Sequence, residues 1–134
     1  MTLVDTNVLL DVVSADSRWF EWSLQHLARR TAVGPVIIND VIYAEMAVRM
    51  ESLVDMEQAL GELDVSFERM PIHALFLAGK CYRHYRSSGG IRTGVLPDFF
   101  IGAHAQVQGW PILTRDVRRY RTYFPDVVLI TPER

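Results

Sequence analysis

Short apolar runs recur along this chain, each bounded by polar or turn-forming residues: "TLVD" at its start, Val36-Ile37-Ile38, "ILT" at 112–114 and "VVLI" at 127–130. Runs this brief are too short for helices. They are apolar on both faces, as strands are when a sheet is covered on both sides. "VSFERM" at 65–70 is a further possible strand. Between these runs the spacing is helical. "TNVLLDVV" can be capped by Thr6 or Asn7, and 17–30 puts Trp19, Trp22 or Ser23, and Leu27 on one face. Asn39-Asp40 precedes "VIYAEMAVRM", and 52–63 repeats Leu53, Met56, Leu60 and Leu63. Pro71 opens a helix to about Tyr85. Pro97, at a first helical position, opens another that Gly109-Trp110-Pro111 ends. "RDVRRYRTYF" reads as a loop or short helix. Strands alternating with helices imply βαβ crossovers, a parallel sheet and helices on both of its sides.

A length of 134 residues fits one domain, 1–134, with no internal linker or repeat. No apolar run approaches the roughly 20 residues that span a bilayer, and no secretory signal pattern is visible, so we expect a cytoplasmic protein with no membrane role. Cys81 is the single cysteine, which excludes an internal disulfide and a cysteine-based zinc site. In the helical "LFLAGKCYRHY" it reads as a packing residue, with His84 the one local base.

The net charge of −2 hides an uneven distribution. Residues 36–68 carry eight acids and one base, Arg49. Residues 80–121 carry eight bases and only two acids, Asp98 and Asp116. Thirteen of the fourteen cationic residues are arginine, whose planar fork suits phosphate. A basic segment of this kind can hold a polyanion or simply be a solvated face. Tyr82, Tyr85, Tyr120 and Tyr123 lie among these arginines, where they can pack or stack on unpaired bases.

Four carboxylates occupy places that structure alone does not explain. Asp5 ends the first strand, and Asp116 lies two residues past "ILT". Asp98 opens an almost wholly apolar helix. Glu45 is the only charge between Val41 and Val48, on a face expected to be largely buried. Ligands of open α/β sheets bind at the carboxyl ends of strands. Each acid has a plainer reading: an N-cap for Asp5, a dipole partner for Asp98, a loop residue for Asp116 and a snorkelling side chain for Glu45. Four such groups converging on one sheet edge would repel unless a cation neutralised them. Hard oxygen ligands select Mg²⁺ or Mn²⁺, which polarise a phosphodiester and activate water. The two acids in the basic segment both belong to this set.

"VDTNVLLD", "YAEM", "LPDFFIGAHA" and "ILTRDVRRYRTYFP" together resemble the PIN-domain ribonucleases, above all the toxins of bacterial VapBC-type toxin–antitoxin pairs. The resemblance runs from Leu3 to about Pro132. It implies a three-layer α/β/α sandwich around four or five parallel strands. It also implies Mg²⁺- or Mn²⁺-dependent cleavage of RNA to a 5′-phosphate and a 3′-hydroxyl. Asp5, Glu45, Asp98 and Asp116 match the family's acidic quartet. Asp5 and Asp98 would be the most direct metal ligands. Glu45 and Asp116 would act through water, hold a second ion or orient the attacking water. Thr6 and Asn7 follow the first acid as in the family, with Asn7 bracing the carboxylates, and Thr114 matches a hydroxyl position. Arg92, Arg115, Arg118, Arg119 and Arg121 are the candidate RNA-holding residues. The resemblance also implies a homodimer, as family toxins usually form, and an antitoxin partner that covers the site. "RWFEW" at 18–22 is a candidate docking surface, because three aromatics in four residues should leave at least one exposed.

Other readings fit less well. A haloacid-dehalogenase-type phosphatase wants a second acid where Asn7 stands and a downstream lysine that only Lys80 could supply. A non-catalytic binding module does not explain four clustered acids. A metal-dependent DNA nuclease is not separated from a ribonuclease by the residues themselves. His26, His73, His84 and His104 are scattered, and His104, six residues after Asp98, is expected in the core or at an interface.

Overall fold

In a computed structural model of the chain, the structure describes residues 1–91 and 94–132. Among these, five strands form one parallel sheet: β1 (Thr2–Val4), β2 (Val36–Ile38), β3 (Val65–Phe67), β4 (Ile112–Leu113) and β5 (Leu129–Ile130), in the order β3-β2-β1-β4-β5. Leu3, Val4, Ile37, Ile38, Ile112 and Leu113 are buried, as two-sided apolar strands require. Seven helices among the described residues connect the strands: α1 (Thr6–Val13), α2 (Phe20–Val33), α3 (Asp40–Ala47), α4 (Leu53–Leu63), α5 (Ile72–Ser87), α6 (Leu96–Gln108) and α7 (Arg118–Tyr123). The chain first steps from β1 outward to β3. It then returns through α5 and α6 to the other side of β1. With right-handed crossovers, this reversal puts the helices before β3 and those after it on opposite faces. No helix among the described residues is long and apolar enough to cross a membrane.

The reversal creates a switch point between the adjacent strands β1 and β4, where a crevice opens beyond their carboxyl ends. Asp5 leaves β1 there and Thr114 leaves β4. Asn39, following β2, accepts from the backbone N–H groups of Val41 (3.1 Å) and Ile42 (3.0 Å), which starts α3 and aims Glu45. Pro97 lies in the first turn of α6 beside Asp98, one place later than expected because Val95 is the cap.

Some local expectations change. The second helix begins at Phe20 rather than Ser17, because the Asp16 carboxylate accepts from the N–H groups of Arg18 (2.9 Å) and Trp19 (2.8 Å) and holds a turn there. Its buried residues are Ser23 and Leu27. Trp19 at its N-cap, Phe20 and Trp22 are all half-buried, so none of the three rings of "RWFEW" is fully exposed, contrary to expectation. Cations flank these rings: the Arg18 and Arg115 guanidiniums lie 5.1 and 4.9 Å from the Trp19 ring, and Trp22 stacks on His26 at 4.1 Å. Leu53 is exposed, leaving Met56 and Leu60 as the buried part of α4. Cys81 is half-buried, and burial pushes its thiol up, away from a nucleophile's range.

α6 and α7 touch where Gly102 faces the buried Phe124 ring, and a Cβ at 102 would stand inside that ring's envelope. Gly102→Ala is expected to destabilise the fold by about 1–3 kcal/mol through overpacking. Urea unfolding would measure this, and unchanged stability would show that Phe124 can move away freely.

Candidate active site

Asp5 is the N-cap of α1 and is buried, with 6% of its surface exposed. Its Oδ1 accepts from the Thr6 N–H at 2.7 Å. Its Oδ2 accepts from the Thr114 hydroxyl (2.8 Å), the Tyr120 hydroxyl (2.9 Å) and, more weakly, Asn7 Nδ2 (3.5 Å). Capping and site-building are therefore one act. The Thr114 hydroxyl has a single proton, which goes to Asp5, and its lone pairs accept from Asn7 Nδ2 (3.3 Å) and the Asp116 N–H (3.1 Å). Asn7 Oδ1 accepts from the Arg115 N–H at 3.3 Å. Thr6, Asn7 and Thr114 thus lock the loop after β4 onto the start of α1.

The other acids arrive around this post. The Thr6 hydroxyl donates to Glu45 Oε1 at 2.6 Å, which ties α3 to α1. Glu45 is half-buried, but not for the reason its helix pattern suggested: Val48 is 82% exposed, so the Val41–Val48 face is not a buried one. Asp98 stands with its side chain 34% exposed. Its carboxyl is raised to about 7, mainly by burial and next by the charge of Asp5. Asp5 is raised to about 6 by burial, against its hydrogen bonds. Asp116 and Glu45 also act on Asp98, so all four acids share one field. Asp116, at the rim, is held below the ordinary carboxylate range by Arg118, whose Nε and Nη2 approach it at 3.3 and 3.2 Å.

Among the described residues no three acid, histidine or cysteine side chains form a ready-made cage for an ion. The donor set still suits Mg²⁺ or Mn²⁺, which keep several waters and need only one or two carboxylates. Asp5 and Asp98 are such a pair: hard oxygens, close enough for the charge of Asp5 to raise the proton affinity of Asp98.

Sequence reasoning missed two residues. Tyr120, read with its neighbouring tyrosines as a packing or stacking residue, is buried with its hydroxyl on Asp5, a contact nothing in the sequence reading assigned, and burial beside Asp5 raises it well above its usual value, so it stays a donor. Its spacing with Val117 and Phe124 on one face of α7 was the available signal. Asp11 is buried and takes Arg115 bidentately, from Nε at 2.6 Å and Nη2 at 2.9 Å, plus the Ser23 hydroxyl at 2.6 Å. Arg115 is therefore committed to Asp11 and Trp19 rather than turned toward a polyanion. Arg118 is exposed and Arg119 lies inside the cluster, 3.7 Å from Asp98 Oδ2. Arg121 is exposed, and Arg92 lies outside the described residues. Tyr82, Tyr85 and Tyr123 are half-buried around Phe99. His104 is buried against Asn39 Nδ2 at 3.1 Å, a core histidine as expected.

Both central acids are raised above their unfolded value of 3.8, so the folded state binds their protons more tightly. The stability this gives is full below pH 3.8 and is lost as pH rises through about 6 and then 7. The metal-free protein should therefore melt at lower temperature at about pH 8 than at about pH 5, with the decline reduced in Asp98→Asn. A level profile in chelator, the same in both proteins, would contradict the coupling.

Residues 2–125 match the family described as PIN domain. No curated relative matches the chain in sequence. Solved structures share its fold. A VapBC2 structure from Rickettsia felis, bound to a promoter DNA fragment, has 14% identity and a TM-score of 0.70, covering 98% of each chain. A toxin–antitoxin complex from Klebsiella pneumoniae has 21% identity and a TM-score of 0.69, covering 99% of this chain and 98% of that one. FitAcB from Neisseria gonorrhoeae has 18% identity and a TM-score of 0.66, covering 98% of each.

Proposed function

The chain belongs to the PIN-domain family, and from that premise we propose that it is a Mg²⁺- or Mn²⁺-dependent endoribonuclease, the toxin of a toxin–antitoxin pair. The observation that carries this reading is the convergence of Asp5, Asp98, Glu45 and Asp116 at the β1–β4 switch point beneath an arginine-rich rim. Four acids sharing one field have no structural use that a neutral pair would not serve better.

Asp5 and Asp98 would hold the ion, which when bound supplies positive charge to the phosphate oxygens and makes a water more acidic. Asp5 is already fixed by four donors and needs no reorganisation to bind. Glu45, steered by Thr6, is placed to orient the attacking water and accept its proton. Water oxygen adds to phosphorus, the bond from phosphorus to O3′ breaks, and O3′ takes a proton to leave as hydroxyl. Arg118 and Arg121, exposed on α7, hold the strand on either side.

The antitoxin partner is supported by the toxin–antitoxin complexes that share this fold. Trp19 and Trp22, beside the Arg115 segment, give such a partner an aromatic foothold on the site's margin. A homodimer follows the same reading. Ile72 and Phe76 on α5 are 75% and 68% exposed, an apolar patch suited to a second copy.

Asp5→Asn and Asp98→Asn should each abolish Mn²⁺-dependent cleavage of single-stranded RNA while the protein stays folded. Cleavage at the wild-type rate by either variant would remove the mechanism, and preferential cutting of single-stranded DNA would move the substrate. Neutralising Arg118 and Arg121 together should weaken RNA binding and lower its salt slope by about 0.7 for each phosphate that is no longer neutralised. An unaltered slope would return both to a solvated face.

A further inference from the structure

We propose that Arg119 is a resident cation of the acidic site, which neutralises Asp98 until metal enters and then delivers its guanidinium to the scissile phosphate. The proposal rests on the nuclease reading above and concerns what this one arginine does within it.

Three nearby arginines are treated differently by the fold. Arg118 is a surface residue, its side chain 68% exposed and paired with Asp116. Arg115 is a structural residue, held by Asp11 on two nitrogens and seated on Trp19. Arg119 is neither. Its side chain is only 12% exposed, yet its ion pair with Asp98 Oδ2 is 3.7 Å long, beyond hydrogen-bond reach. Its Nε is buried with no hydrogen-bond partner among the described residues. The Tyr85 ring supports the guanidinium at 5.6 Å.

A guanidinium carries five N–H donors, and burying it without using them is costly. A purely structural arginine would be engaged as Arg115 is. An arginine under-used in the ground state, in a partly dry pocket, is instead poised for an acceptor that arrives later. The acceptor that fits a planar fork is a pair of phosphate oxygens. α7 places consecutive residues on the two central acids, Tyr120 on Asp5 at 2.9 Å and Arg119 beside Asp98. The cation thus stands where the substrate's phosphate must come if Asp5 and Asp98 hold the ion. Until then it partly offsets the repulsion between those acids, and it competes with any metal for Asp98.

The test uses the full chain and three measurements on wild type, Arg119→Met and Arg119→Lys. Mn²⁺ affinity is read by calorimetry without RNA, RNA affinity in chelator, and cleavage under saturating Mn²⁺. Absence of wild-type metal binding or cleavage would defeat the nuclease reading itself, whatever Arg119 does. Given wild-type activity, Arg119→Met should bind Mn²⁺ about tenfold more tightly, since a competing charge is gone. It should cleave about 100-fold more slowly at saturating RNA, with RNA affinity changed less than about threefold. Arg119→Lys keeps the charge without the fork. It should bind Mn²⁺ as wild type does and still cleave slowly, and it carries the test if the Met variant does not fold. Unchanged Mn²⁺ affinity in the Met variant, wild-type cleavage by the Lys variant, or a loss confined to RNA affinity would each overturn the proposal.

Discussion

One buried carboxylate organises this protein. Asp5 sits at the carboxyl end of the central strand, where a charge would be expelled if it lacked partners. Its donors come from four residues on three segments: Thr6 and Asn7 from α1, Thr114 from the end of β4, and Tyr120 from α7. Each donor also fixes its own segment. The Thr114 hydroxyl sets the turn into Asp116, and Tyr120 sets the roll of α7 and so the place of Arg119. The sheet reversal at β1–β4 brings these segments together, and Asp5 gives them a common point to bond to.

The network is satisfied on one side and left open on the other. Asp5 Oδ2 is fully engaged, whereas Oδ1 accepts the Thr6 N–H. Asp98 is one-third exposed, and its nearest cation stands 3.7 Å away. The result is a rigid acid beside a loosely partnered one, both with raised proton affinity. A fold selected only for stability would replace such a pair with apolar residues. Retaining it is intelligible if a cation completes the arrangement.

The sheet was legible because its strands are apolar on both faces and each of the central ones is followed by a chemically conspicuous residue. Asp5 and Asp98 stood out because each interrupts an apolar stretch. What could not be read were polar groups whose burial depends on distant partners. Asp11 looks like a helix-surface acid until Arg115, 104 residues on, closes over it. Tyr120 looks like its neighbouring tyrosines until Asp5, 115 residues earlier, meets its hydroxyl. The environment of Glu45 was misjudged for the converse reason. Its apolar neighbours suggested burial, but Val48 ends α3 and projects outward, so Thr6 rather than hydrophobic packing fixes that carboxylate.

Arginine content alone therefore says little about what an arginine does here. Sequence proximity placed Arg115, Arg118 and Arg119 in one basic patch, yet their surroundings divide them. Bidentate pairing with the buried Asp11 makes the half-buried Arg115 a clamp, whose loss would free the loop that carries Thr114 and Asp116. Exposure with a rim partner leaves Arg118 free to exchange Asp116 for another anion, because such a pair is worth little in water. Burial without such pairing leaves Arg119 with bonding capacity that the folded chain does not use. The deciding quantity is the unmet hydrogen-bonding capacity at a given burial, and among these three arginines it is largest beside Asp98, the acid that the fold holds least tightly.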